Sequence, residues 1–209
     1  MEEKKSIRNY IQNFDHEFDD KKKWLNIHIF EIQIEITQIE NTMKIFKIVN
    51  DEWENRVLEK KAIDFSLIRN TLFNALPYRV ILGLSKILAI TKSEYSLNKT
   101  INIISQMEEY KENPEILQLQ KEARIFLESS ELVNVVKVYR DQYFGHLDKE
   151  SVISDLRLDP TIAMKDINFS DLAIIKDLLA RLYEACFQEE LTFVETQFSK
   201  EDVLKKFDF

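Results

Sequence analysis

The chain has 209 residues, of which 44% are hydrophobic and 32% are charged, and its formal net charge is −8. This length and apolar content suit one domain with a substantial core, whereas two glycines and three prolines exclude Gly-rich phosphate-binding loops and sheets built on tight hairpins. The single cysteine excludes a disulfide framework and a cysteine-based zinc site, and the acidic balance argues against a protein that wraps double-stranded DNA.

The sequence lacks the signals of export and of membrane insertion. Its N-terminus, Met-Glu-Glu-Lys-Lys-Ser, has no apolar stretch of the kind found in secretory signals. The longest apolar run, residues 80–90, is interrupted by Ser85 and Lys86 and falls short of the roughly 18 residues that span a bilayer. A lone cysteine also suits a reducing compartment. We therefore expect a cytoplasmic protein without membrane contact.

Apolar residues recur at helical spacing through the first quarter of the chain. Segment 6–18 predicts a first helix, and the charged residues 19–23 after it indicate a break or a solvated turn. A heptad row follows, with members at Leu25, Ile29, Ile32, Ile36, Ile39, Met43 and Phe46. This row is far longer than a strand, so it predicts a helix although Ile32, Ile34 and Ile36 alternate as in a strand. A second row at Ile27, Phe30 and Ile34 predicts that neighbours cover this helix on more than one side.

Capping residues and prolines divide the remainder into further helices. Pro77 should kink or restart one helix, Ser129 and Ser130 should restart another, and residues 159–160 lie in a loop. The predicted N-caps are Ser66, Ser96, Asn113 (before Pro114), Ser170 and Ser199. The predicted fold is all-α, a single helical bundle. It divides into an N-terminal helical extension (1–24), the bundle (25–198) and a C-terminal tail helix (199–209).

Histidine, the usual acid–base residue at neutral pH, occurs only at positions 16, 28 and 146. His16 lies among acidic residues and is interpreted as part of a solvated helix face. His28 is interpreted as a satisfied histidine on a helix surface or partly buried. No two histidines are spaced to share a helix face, so a histidine-based metal centre is not expected. The sequence therefore predicts neither a metal nor another cofactor.

The candidate site comprises Arg140 and His146. Spacing from Val133 and Val136 predicts that Arg140 projects from the edge of the core-facing side of its helix. Its guanidinium cannot lose its charge there, so it requires a carboxylate, a phosphate or water. Gly145 stands where a helix would end in a left-handed residue, and a chain reversal at this glycine would bring His146 back towards Arg140.

Such a pair suits cleavage of RNA without a metal. A histidine can take the proton of the 2′-hydroxyl, and the planar fork of an arginine can stabilise the pentavalent phosphorane. One chain supplies only one such histidine, although an acid and a base are both desirable. A two-fold homodimer that joins two of these helix ends would supply two of each.

The segment also resembles a known family. Arg140 and His146 match the R-x4–6-H signature of HEPN-domain proteins, and residues 135–148 are similar to the abortive-infection (AbiU-like) branch, as are residues 75–88. The resemblance runs roughly from residue 25 to 195. It implies a helical bundle, usually dimeric, that cleaves RNA in phage defence or in toxin–antitoxin settings, with an antitoxin protein as a further partner. It also adds Asp141 to the catalytic set, in a position where asparagine is commoner.

Three alternatives stay open. The chain could be a non-catalytic HEPN-like helical module that binds a protein or nucleotide partner, which its acidic charge favours. The heptad row, which resumes in register at Trp53 and so runs from Leu25 to Trp53, could pair with another chain rather than with the chain's own core. At the site itself, Arg140 could pair with a carboxylate of a neighbouring helix while His146 only caps the turn.

Overall fold

The computed structural model describes residues 21–59, 71–88, 95–144, 164, 167 and 169–207. Within these residues the protein is all-α, which confirms the predicted fold class. A π-helical turn, Thr71–Ala75, precedes the second helix, and a 3-10 turn, Glu108–Tyr110, follows the third. The helices in chain order are α1 (Lys21–Leu58), α2 (Leu76–Ile87), α3 (Leu97–Ser105), α4 (Pro114–Ser129), α5 (Glu131–Phe144), α6 (Phe169–Phe187) and α7 (Lys200–Lys206).

Helix α1 is the central element of the bundle. It is one helix of 38 residues, and every member of the heptad row from Leu25 to Phe46 is buried in it. Because α2, α3 and α6 pack against α1, this row belongs to the chain's own core, and the hypothesis that it pairs with another chain is wrong. The predicted break over residues 19–23 is also wrong in part, since α1 begins at Lys21.

The second apolar row of α1 behaves differently from the first. Phe30 is 41% exposed and Ile34 is 51% exposed, so the expectation that neighbours cover this row is wrong for these two residues. The ring of Phe30 packs against Tyr183 of α6, with the two ring centroids 6.0 Å apart.

Most of the predicted helix starts are correct, and the caps explain why. Ser96 and Ser199 accept hydrogen bonds from the backbone N–H groups three residues on, and Asn113 accepts two, from Glu115 and Ile116. Ser130 ends α4 and α5 restarts at once, as predicted. Ser170, by contrast, lies inside the first turn of α6 rather than before it. The predicted helix at 6–18, the cap at Ser66 and the loop at 159–160 lie outside the described residues.

Long-range contacts fix the relative directions of the helices. Lys22 lies near Phe187, and Lys176 binds Glu40 at 3.0 Å, so α6 runs antiparallel to α1. Tyr110 donates a hydrogen bond to the backbone oxygen of Cys186 at 2.7 Å. The start of α4 therefore lies beside the end of α6, and these two helices are antiparallel as well.

An extended segment, residues 188–199, returns along α1 and places α7 on it. Gln188, with φ of 59°, ends α6 in the left-handed conformation. Gln33 then donates a hydrogen bond to the oxygen of Thr192, and Asn41 to that of Thr196. These contacts run in the same order along both segments, so the extended segment is parallel to α1. None of the described helices is both long and apolar enough to cross a membrane.

Candidate functional site

Helix α5 carries the candidate arginine, and its buried side determines where that arginine lies. Leu132, Val136 and Tyr139 are buried, at a spacing of four and three residues, and they turn α5 towards α2 and α4. Arg140 follows Tyr139 directly, so its side chain leaves the helix beside the buried stripe. Its side chain is 20% exposed, which agrees with the predicted position at the edge of the core.

The guanidinium of Arg140 is held by the next residue in the chain. Its Nε donates to Oδ1 of Asp141 at 2.7 Å, and its Nη2 donates to the same oxygen. The side chain of Asp141 is 52% exposed, so the pair lies at the boundary between core and solvent. An arginine that keeps its charge at such a boundary is stabilised by an adjacent carboxylate, and a phosphate oxygen would satisfy the same donors.

The second half of the predicted pair, His146, lies outside the described residues together with Gly145. The structure therefore brings Arg140 and Asp141 together. The approach of the imidazole to the guanidinium stays a prediction.

A second cation, Lys137, accompanies Arg140 on α5. It is exposed and lies three residues before Arg140, a spacing that places the Cβ atoms about 5–6 Å apart on one side of a helix. The two side chains together give this edge of α5 two positive charges. The sequence interpretation missed Lys137 because the R-x4–6-H signature starts at Arg140, but the helical spacing alone would have identified it.

The other AbiU-like run, residues 75–88, forms a helix crossing. Arg79 of α2 donates to the side-chain oxygens of Glu35 and Gln38 on α1. A Cβ atom on the buried Gly83 would lie only 2.6 Å from Glu35 Oε1 and 2.8 Å from Ile39 Cδ1. A side chain at position 83 would therefore displace the ends of the Glu35, Arg79 and Ile39 side chains, and Arg79 links α1 and α2 beside this glycine.

His28 differs from the sequence interpretation. It is 1% exposed, whereas a histidine on a helix surface or partly buried was expected, and its Nδ1 has no hydrogen-bond partner in the described part of the chain. Its ring packs against Trp24 and Tyr95, with centroids 5.3 and 5.0 Å away. Burial, aided by the nearby charge of Lys99, lowers its pKa from 6.5 to about 4. His28 is therefore a neutral core residue.

Two other groups that are chemically active in many proteins, the thiol of Cys186 and the hydroxyl of Tyr110, are also buried in the core. Burial raises the pKa of the Cys186 thiol to about 12. Burial likewise raises the pKa of the Tyr110 hydroxyl, which donates to the backbone of Cys186. Among the described residues, no group of three or more histidine, cysteine, aspartate or glutamate side chains is arranged to hold a metal ion.

Comparison with known proteins identifies the family. The family model HEPN_AbiU2, described as AbiU2, matches residues 21–189. Its match begins with the first residue of α1 and ends just after α6, and it includes the crossing at Gly83 and the site on α5. Neither a curated protein nor a solved structure matches the chain. Because the matched region covers most of the sequence, the chain belongs to the HEPN_AbiU2 (AbiU2) family.

Proposed function

We propose that this protein is a metal-independent endoribonuclease of the HEPN type, acting as an abortive-infection or toxin effector. The observation that carries the proposal is Arg140, whose charged fork lies at the edge of the core, held by an exposed carboxylate on its own helix. Membership of an HEPN family whose name refers to abortive infection supports the same function. Lys137, one turn away, adds a charge that attracts phosphate.

In the proposed reaction His146 takes the proton of a 2′-hydroxyl, whose oxygen attacks the adjacent phosphorus. The P–O5′ bond breaks, which leaves a 2′,3′-cyclic phosphate and a 5′-hydroxyl. Arg140 stabilises the additional negative charge on the phosphoryl oxygens of the phosphorane. The departing 5′-oxygen needs a proton, which the second His146 of a homodimer donates.

Asp141 acts in this scheme as a positioning residue. It fixes the orientation of the Arg140 fork before RNA binds, through its contacts to Nε and Nη2. An asparagine oxygen can accept the same hydrogen bonds without a charge. We therefore expect Asp141→Asn to keep activity within a few-fold and Asp141→Leu to reduce it, because the fork is then no longer oriented.

The test is cleavage of tRNA and total RNA by the purified protein in EDTA. Wild type should cleave, and Arg140→Ala and His146→Ala should each lose roughly 10²-fold or more in rate, the usual effect of removing an oxyanion donor or a general base. Arg124→Ala, which removes an exposed arginine from α4, and His16→Ala are the matched controls and should cleave normally. Far-UV circular dichroism checks that each variant is folded.

Two results would contradict the proposal. Undiminished cleavage by His146→Ala would show that another group acts as the base. Absence of cleavage by folded wild type would favour the alternative, a non-catalytic HEPN-like module that binds a protein or nucleotide partner, which the net charge of −8 also supports. Light scattering after size exclusion tests the dimer separately, since a monomer cannot supply both histidines.

A further inference from the structure

The solvent-facing side of α5 carries a second cation beside the candidate arginine. Lys137 and Asp141 are exposed, and the side chain of Arg140 is 20% exposed at the edge of the core. Lys137 precedes Arg140 by three residues and Asp141 by four, so it lies one turn from both on the same side of the helix. Lys137 is therefore the neighbour of the Arg140–Asp141 pair in the direction of the start of α5.

The charges of these three side chains leave a positive balance. Arg140 binds Asp141 through its Nε at 2.7 Å, so one positive charge is balanced by one negative charge. The ammonium of Lys137 has no hydrogen bond or ion pair to another residue in the part of the chain that the structure describes. One positive charge thus remains beside the guanidinium, on a protein whose formal net charge is −8. Because that overall charge repels phosphate, binding of RNA depends on such local cations.

The spacing of the two cations suits consecutive phosphates of one strand. Three residues of an α-helix rise about 4.5 Å. The phosphates of a stacked nucleic-acid strand follow each other at about 3.4 Å along its axis. The four-carbon stem of lysine is flexible enough to accommodate the difference. When the guanidinium of Arg140 binds the phosphate that is cleaved, the ammonium of Lys137 can therefore bind the next phosphate.

The residues at the start of α5 limit how far this contact extends. Asn134, one turn before Lys137, is exposed and neutral, and Glu131, one turn further, is exposed and negative. A strand that continues along α5 past Lys137 therefore meets an uncharged amide and then a carboxylate that repels it. This order of side chains predicts one additional phosphate contact on α5 rather than a row of them.

We propose that Lys137 binds the phosphate next to the one that is cleaved, so that the protein recognises its RNA by two consecutive phosphates of the same strand. This inference rests on the proposed ribonuclease activity, in which Arg140 binds the phosphate that is cleaved. A contact to the backbone fixes the position of the strand without reading its sequence. Lys137 thus contributes to binding of RNA and to the register of the strand on α5.

Binding of 2′-O-methyl oligouridylates tests this site without cleavage, because the methyl group blocks the 2′-hydroxyl that would attack phosphorus. Oligomers with one, two and three phosphates are titrated into the full chain, and NMR gives the dissociation constants. Wild type should bind the two-phosphate oligomer more tightly than the one-phosphate oligomer, and a third phosphate should add little. The gain from the second phosphate should be roughly fivefold larger in wild type than in Lys137→Gln, the effect of one partly solvated ion pair. Comparing the two gains cancels the larger number of ways in which a longer oligomer can bind.

Three further measurements separate a phosphate site from a general effect of charge. Lys137→Arg keeps the charge and should keep the gain. Lys121→Gln is the matched control, because Lys121 is also exposed but lies on α4, and it should behave as wild type. The logarithm of the affinity for the two-phosphate oligomer should depend less steeply on the logarithm of the salt concentration in Lys137→Gln, by about 0.7. With tRNA as substrate, the same variant should raise KM roughly fivefold and leave kcat nearly unchanged.

The outcomes distinguish this site from the ribonuclease activity itself. An equal gain in wild type and Lys137→Gln would overturn the proposal even if wild type cleaves RNA, and so would an equal loss of the gain in Lys121→Gln. Absence of measurable binding of these oligomers by wild type would overturn it as well. Loss of the gain in Lys137→Gln, in a protein that does not cleave RNA, would support the phosphate site and contradict only the ribonuclease activity.

Discussion

The buried His28 should make the stability of this protein depend on pH above the range in which carboxylates titrate. Its imidazole is enclosed by Trp24 and Tyr95, is 1% exposed, and has a pKa of about 4 in the folded protein. In the unfolded chain the same group titrates near 6.5. Between these two values the unfolded state binds a proton that the folded state excludes, so stability falls as the pH falls.

The size of this effect follows from the separation of the two pKa values. Each pH unit in the window is worth about 1.4 kcal/mol, so His28 should lower the free energy of unfolding by about 2 kcal/mol between pH 6.5 and pH 5. Near pH 4 the total loss should approach about 3 kcal/mol. The carboxylates of Glu52 and Glu122 have lowered pKa values, so what they contribute to the free energy of unfolding is lost mainly below pH 4.5. The change in stability between pH 6.5 and pH 5 is therefore expected to come from histidine.

Urea unfolding of wild type and His28→Phe at pH 7, 6 and 5 measures the effect. Phenylalanine keeps a ring against Trp24 and Tyr95 but cannot take up a proton, so the variant should lose little stability over this range. Lys99→Gln is a useful companion, because burial is the larger cause of the low pKa and most of the pH dependence should survive. Parallel loss of stability by wild type and His28→Phe would refute the reasoning.

Two further predictions concern the packing of the bundle. Gly83→Ala gains about 1 kcal/mol of helix propensity, but its methyl group meets Ile39 Cδ1 at 2.8 Å and displaces the ends of Glu35 and Arg79. We therefore expect a net loss of about 1 kcal/mol in urea unfolding, and a stabilised variant would show that these side-chain ends shift at a cost smaller than the gain in helix propensity. Burial raises the pKa of the Cys186 thiol to about 12. At pH 8 this thiol should therefore react with a disulfide reagent roughly 10²-fold more slowly in the folded protein than in urea. Equal rates in the two conditions would show that the thiol is accessible in the folded protein.

Much of the fold follows from local signals in the sequence. The heptad row from Leu25 to Phe46 predicts a long helix because seven apolar residues on one side need a neighbour at every turn. Asn113 predicts the start of α4 because its side chain can reach two backbone donors within three residues. Ser170 is not the cap, because α6 already includes Phe169 and Ser170 is its second residue; local capping signals place a helix end only to within one or two residues.

The sequence did not reveal the environment of residues that are surrounded by distant parts of the chain. His28 lies between the two apolar rows of α1, and its ring packs against Tyr95, a residue more than sixty positions later in the chain. Ile34, which belongs to an apolar row, stays half exposed because no described helix packs over it. Gly83 carried no prediction, because the side chains that it lies against, those of Glu35 and Ile39, belong to residues more than forty positions earlier in the chain.

The contacts of two arginines explain why α5, rather than the crossing of α1 and α2, is the stronger candidate for chemistry. Both Arg79 and Arg140 lie in AbiU-like runs, and both are partly buried. Arg79 binds side chains of a different helix, so its departure would loosen the packing of α1 on α2. Arg140 binds the carboxylate of Asp141 on its own helix, and a phosphate oxygen would satisfy the same donors. A guanidinium that is already oriented at the boundary between core and solvent meets one condition for a preorganised site that stabilises a developing anion.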